Sequence, residues 1–195
     1  MEFLAILVGG ILINNYIFSR FLGLCPFFGV SSKLETVYGM GAAVVFVMTL
    51  ASAITWPLQH LLLEPLGLGY LQTVAFILVI AALVQSVEMV IQRVSPTLYA
   101  ALGIYLPLLT TNCAVLGAAL LNITSGYSFI ASVVNGFACG IGWTLATLLF
   151  AGVRERVEGT HIPPAMRGMP IAFVAAGLMA LAFMGFQGLF RGILF

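Results

Sequence analysis

The chain has 195 residues, of which 62% are hydrophobic and 7% charged, and its mean hydropathy is +1.17. Those values lie outside the range of a soluble domain and identify an integral membrane protein in contact with membrane lipid. A formal net charge of +1, with no run of Lys or Arg, gives no reason to expect nucleic acid or a lipid-headgroup patch, and three cysteines without a sizeable soluble loop do not make a secreted disulfide framework.

A helix needs about 20 apolar residues to cross the bilayer core, and backbone groups in lipid must be paired within the segment. By that measure the sequence predicts six spans. The first begins near Phe3 and is interrupted at Arg20. The second runs from about Tyr38 to Leu58, and the third from about Leu71 to Ile91 after a loop holding His60, Glu64 and Pro65. No charge occurs between Val94 and Val153, which leaves room for a fourth span from Thr97 to Leu121 and a fifth from Ser128 to Ala151. The polar run Asn122-Ile123-Thr124-Ser125-Gly126 divides them. The sixth extends from Met169 to Leu189. The expected fold class is all-α and polytopic, one transmembrane domain over residues 1–195.

Basic residues accumulate in short cytoplasmic loops. Arg20 and Lys33 follow span one, Arg93 follows span three, and Arg154, Arg156 and Arg167 follow span five, with only Arg191 on the other side. Both termini are therefore expected to face away from the cytoplasm. Met1-Glu2-Phe3 lacks the basic start of a secretory signal, so span one is expected to be retained. Three spans followed by three make two halves of opposite orientation, about 1–92 and 93–195, which is the arithmetic of an inverted-topology repeat.

Repeats of this kind place their sites at broken helices in corresponding positions, and spans one and four carry matching interruptions. In Leu22-Gly23-Leu24-Cys25-Pro26, the proline removes a backbone donor and suits the first turn of a new short helix. In span four, Pro107 precedes the capping series Thr110-Thr111-Asn112, which predicts a half-helix starting at Cys113. Cys25 and Cys113 are about 88 residues apart, and each begins a Cys-x-x-x-Gly step. A thiolate is favoured at a helix N-terminus. Two thiolates do not complete an iron–sulfur cluster or a zinc site, so missing ligands would come from a second chain. Cys139 has no counterpart in the first half and reads as packing. Straight helices, rising 1.5 Å per residue, would carry Cys25 about 33 Å inward from the outer face and Cys113 about 24 Å outward from the inner face, which puts them in opposite leaflets. A shared site therefore requires both spans to break or tilt.

Other polar residues carry weaker expectations. Glu88 is a candidate for an ion path or for simple interfacial placement beside Arg93. Asn14 and Asn15 are expected to orient the broken helix, hold water or bond a neighbouring helix. Arg20 either offsets charge at the thiolates or reaches the cytoplasmic interface. Gly39, Gly41, Gly117, Gly136 and Gly140 are expected to permit close helix packing. His60 and His161 are expected in loops on opposite sides, too far apart to share a metal.

The strings Phe21-Leu-Gly-Leu-Cys-Pro-Phe-Phe-Gly-Val, Ser32-Lys33-Leu34-Glu35-Thr36, Ser95-Pro96-Thr97-Leu98-Tyr99, Leu106-Pro-Leu-Leu-Thr-Thr-Asn-Cys-Ala-Val-Leu-Gly117 and Arg154-Glu155-Arg156 together resemble the A subunits of the Rnf electron-transport complex and their sodium-pumping quinone-reductase relatives. The resemblance covers essentially the whole chain. It implies pairing with a homologous E subunit of opposite topology, alongside B, C, D and G subunits, in the bacterial inner membrane. Each of the two homologues would supply two cysteines to an intramembrane [2Fe–2S] cluster, here Cys25 and Cys113. The complex so implied moves electrons between ferredoxin and NAD while transporting Na⁺ or H⁺. The chain has no glycine-rich dinucleotide turn and no soluble volume for a flavin or NAD, so those cofactors are expected in other subunits. A small inverted-repeat transporter or channel without a metal is the rival reading, from which the matched cysteines distinguish it.

Overall fold

The computed structural model describes residues 2–32, 34–94, 99, 106–161 and 163–194, and all regular structure among them is helical. In chain order the helices are α1 (Glu2–Val8), α2 (Leu24–Val30), α3 (Leu34–Leu58), α4 (Gln72–Val94), α5 (Leu106–Thr110), α6 (Cys113–Thr124), α7 (Phe129–Glu158) and α8 (Met169–Leu194). A π-helical turn continues α1 over Gly9–Ile13, and another continues α3 over Gln59–Leu63. His60 therefore sits on a helical extension and not in a loop, stacked on Trp56 with ring centroids 4.2 Å apart.

Four stretches of the described residues are long and apolar enough to cross a membrane: Leu34–Leu63, Gly69–Arg93, Pro107–Thr124 and Phe129–Glu158. Met169–Gly185 is a shorter apolar helix. The protein is an all-α polytopic membrane protein. Its longest helices overrun the apolar segments: α3 begins at Leu34, and α7 reaches Glu158 through Arg154, Glu155 and Arg156. Charged residues are good helix formers, so the helix continues where the apolar run stops. Lys33, Ser95, Pro96, Thr97 and Leu98 lie outside the described residues, and with them the expected start of the fourth span.

The core is the antiparallel pair α3 and α7. Three contacts in reversed order define their register: Gly41 against Thr144, Gly140 against the Val45 backbone, and Gly136 against Ser52. A Cβ on Gly140 would come within 2.7 Å of Val45 Cα, so these residues act as the close-approach positions that membrane helices use in place of a hydrophobic driving force. Gly117 likewise admits the Leu22 side chain. Trp143, Met40, Met48 and Phe150 fill the interior and are fully buried.

A polar seam runs through the same core. Cys139 Sγ donates to Asn135 Oδ1 at 3.5 Å, Asn135 Nδ2 donates to Asn122 Oδ1 at 2.7 Å, and Asn122 Nδ2 donates to Ser52 Oγ at 3.1 Å and to the Ser132 carbonyl at 3.2 Å. All five residues are buried. Such bonds hold helices together in lipid because the alternative is an unpaired group in hydrocarbon. Cys139, 1% exposed, belongs to this packing.

Candidate functional site

Both predicted breaks are present. The first opens where the π turn ends, at Asn14, whose N–H donates to the Gly9 carbonyl at 2.7 Å, and the chain becomes helical again only at Leu24. The second is two residues long, Thr111 and Asn112, between α5 and α6. Each break is followed at once by a cysteine. Cys25 is the second residue of α2, with Pro26 third, and Cys113 is the first residue of α6.

Asn15 organises the first break. It is fully buried; its Nδ2 donates to the Gly142 carbonyl of α7 at 2.8 Å and to the Ile11 carbonyl at 3.3 Å, while Oδ1 accepts the Ile17 N–H at 3.0 Å. A side chain that bonds backbone in this way competes with the helix ladder and ends it. Asn14 and Arg20, by contrast, are exposed. The break closes at Gly23, whose φ of +81° suits glycine and whose carbonyl accepts the Trp143 Nε1–H at 3.2 Å. A Cβ there would lie 2.7 Å from Trp143 Nε1 and 3.0 Å from Ala114 Cβ.

The seven-residue helix α2 is fixed at its other end as well. Phe27 is fully buried and stacks on Phe150 with centroids 4.5 Å apart, and Phe28 packs on Phe173 at 4.4 Å. Arg154 Nη1 donates to the Phe28 carbonyl at 3.0 Å and to Ser31 Oγ at 3.2 Å, and its Nε bonds Glu158 at 3.0 Å. A cation at the carbonyl end of a helix meets the negative end of its dipole. Buried Pro26, Phe27 and Val30 form the inner face of α2, and Cys25 is exposed on the other.

The two breaks meet at Cys113. Its half-buried Sγ accepts the Gly23 N–H at 2.9 Å. Gly23 precedes Cys25 by two residues, which span at most about 7 Å, so the backbone nitrogen of Cys25 lies within about 10 Å of Cys113 Sγ. The amides at the start of α6 are mostly engaged elsewhere: Ala114 N–H donates to Asn112 Oδ1, and Val115 N–H to the Asn112 carbonyl. The donor to the sulfur thus comes from the opposite break. Asn112 Nδ2, 3% exposed as a residue, has no hydrogen-bond partner among the described residues. A sulfur that takes an N–H carries its negative charge at lower cost in an apolar interior.

Among the described residues no three His, Cys, Asp or Glu side chains come close enough together to hold a metal ion. His60 lies within 3.8 Å of Glu64, and His161 is exposed in a loop. Glu88 is half-buried on α4. An open apolar groove between α3 and α7, lined by Val45, Phe46, Phe137 and Ile141, includes neither thiol-bearing break. The sequence does not reveal Gly142 and Trp143 as supports of the first break or Arg154 as the support of α2, because no spacing links any of them to residues 15–31.

The model of the family described as "Rnf-Nqr subunit, membrane protein" matches residues 3–190. The chain belongs to the Rnf-Nqr family. A family member from Syntrophotalea carbinolica, the A subunit of an ion-translocating oxidoreductase complex, is 61% identical over 189 residues, covering 97% of this chain and 98% of the relative. The A subunit of the Na(+)-translocating ferredoxin:NAD(+) oxidoreductase complex of Acetobacterium woodii is 59% identical over 192 residues, covering 98% and 100%. The A subunit of an ion-translocating oxidoreductase complex from Vibrio cholerae is 54% identical over 190 residues, covering 97% and 98%. These Rnf-Nqr proteins align with the present chain end to end, so both cysteine motifs fall within the shared region.

Proposed function

We propose that this chain is the A subunit of an ion-translocating ferredoxin:NAD oxidoreductase complex in the bacterial cytoplasmic membrane, and that Cys25 and Cys113 are its ligands to a [2Fe–2S] cluster. The observation that carries the ligand assignment is the meeting of the two breaks, where Gly23 N–H bonds Cys113 Sγ two residues before the exposed Cys25. A [2Fe–2S] cluster takes four thiolates. Two come from this chain, and the exposed side of α2 offers room for two from a partner, a homologous subunit of opposite topology. When bound, the cluster supplies one-electron transfer. This chain's residues hold it: α2, clasped by Phe27, Phe28 and Arg154, fixes one thiolate, and Asn112, capping α6, fixes the other. Gly23 N–H gives a hydrogen bond to the Cys113 sulfur, which offsets the cost of negative charge in hydrocarbon. Ferredoxin, NAD and flavin would be handled by other subunits of the complex.

The test is electron paramagnetic resonance of the purified complex. Cys25→Ser and Cys113→Ser are expected to abolish the cluster signal, and Cys139→Ser to leave it intact. A normal spectrum in either of the first two overturns the ligand assignment. A wild-type complex without the cluster signal would favour the transporter reading.

The same reading makes residues 1–92 and 93–195 inverted repeats with both termini outside the cytoplasm. Reporter fusions at the C-terminus and near Asn122 are then expected on the non-cytoplasmic face and one near Glu158 in the cytoplasm; a cytoplasmic C-terminus would remove both the repeat and the orientation.

A further inference from the structure

Asn112 has two functional groups on its amide, and the fold uses one. Its Oδ1 accepts the Ala114 N–H at 3.0 Å. A backbone N–H requires an acceptor, so this bond fixes which branch of the amide is oxygen and leaves Nδ2, with two N–H groups, on the other. The residue is 3% exposed, and Nδ2 has no partner among the described residues. A buried donor left unpaired is destabilising, the more so in a bilayer core where water does not substitute. Capping does not account for the nitrogen, because Ser, Thr or Asp supplies the same oxygen. The next residue is Cys113, whose Sγ already accepts one N–H from across the break.

We infer that Asn112 is a positioning residue for the iron–sulfur group: Nδ2 donates a hydrogen bond to one of its sulfurs and so raises its reduction potential. The inference rests on the cluster assignment made above. Reduction adds negative charge to the sulfurs, so a donor aimed at them favours the reduced state. Gly23 N–H acts in the same sense, but as backbone it is fixed; Asn112 is the side chain through which the potential is set.

The experiment is a redox titration, followed by electron paramagnetic resonance, of the purified complex carrying Asn112→Ser or Asn112→Asp. Serine keeps the cap oxygen and removes the donor. Aspartate keeps the shape and the cap but replaces the donor with negative charge. The expected result is a retained signal, with the reduction equilibrium shifted against the reduced state about tenfold in the serine variant, or about 59 mV for one electron, and further in the aspartate variant. An unchanged potential with full signal intensity overturns the role of Asn112 and leaves the cluster assignment standing. No cluster signal in the wild-type complex overturns the assignment, and this inference with it. Should neither variant assemble, wild-type complex labelled with ¹⁵N in asparagine side chains is the alternative. A weak nitrogen coupling to the reduced cluster in pulsed resonance supports the bond, and its absence overturns it.

Discussion

The break before α2 and the break before α6 each put a cysteine at the start of a helix, by different means. The second is two residues long and held by its own sequence, because Asn112 caps the helix that follows it. The first extends from Asn14 to Gly23 and, besides turns of its own, is tied to α7 at Gly142 and Trp143, while Arg154 of α7 holds the far end of α2. A short interruption in a membrane helix is satisfied by local hydrogen bonds; a long one exposes more backbone than it can pair and borrows partners from a neighbouring helix. The difference predicts that damage to the first break spreads to α7, while damage to the second stays local.

The largest effect is expected for Gly23→Ala. The left-handed φ costs about 1–2 kcal/mol for any residue with a Cβ, and the clash with Trp143 adds an overpacking term of about 1–3 kcal/mol. Thermal unfolding of the detergent-purified complex measures the sum. Gly67→Ala and Gly126→Ala sharpen the result, because both glycines have φ of +65° with nothing within 4 Å of an added Cβ and isolate the backbone contribution. An equal loss of stability at all three positions would show that packing against α7 contributes nothing at Gly23.

Next in size is Asn15→Ala, which takes away the acceptor of the Ile17 N–H and the side-chain bond to the Gly142 carbonyl, and is expected to cost about 2 kcal/mol. If hydrogen exchange in that variant rises only in residues 14–23 and not around Gly142, the support does not run through α7 as described. The smallest effect is expected for Arg154→Lys, which keeps the charge but not the fork that reaches Phe28, Ser31 and Glu158 together. A loss of about 1 kcal/mol or less is expected at this partly exposed site, read as faster proteolysis near Ser31; an unchanged cleavage rate would mean that α2 is held by its phenylalanines alone.

How much of this is legible in the sequence depends on distance along the chain. The cap at Asn112 and the restart of helix at Cys113 are readable because N-cap preference is local chemistry. Pro26 correctly marks the first turn of α2, but the break begins some ten residues earlier than the proline suggests. Asn15 ends the helix through a bond to Gly142, a partner 127 positions away that no local pattern reveals. Gly41, Gly117, Gly136 and Gly140 do sit at close approaches, because small residues in lipid have few other uses. His60 reads as a loop residue because a π turn carries no sequence signature that separates it from the polar end of a span.

Arg154 also acts as a ruler. Its guanidinium bonds the Phe28 carbonyl, three residues beyond Cys25, and a helix rises only 1.5 Å per residue. Along the helix axis the backbones of Cys25 and Phe28 are therefore only about 4.5 Å apart, so the thiol stays near a fixed positive charge whatever the rest of the bundle does. An electron carrier held at Cys25, as proposed, would keep that cation beside it, near the end of α7.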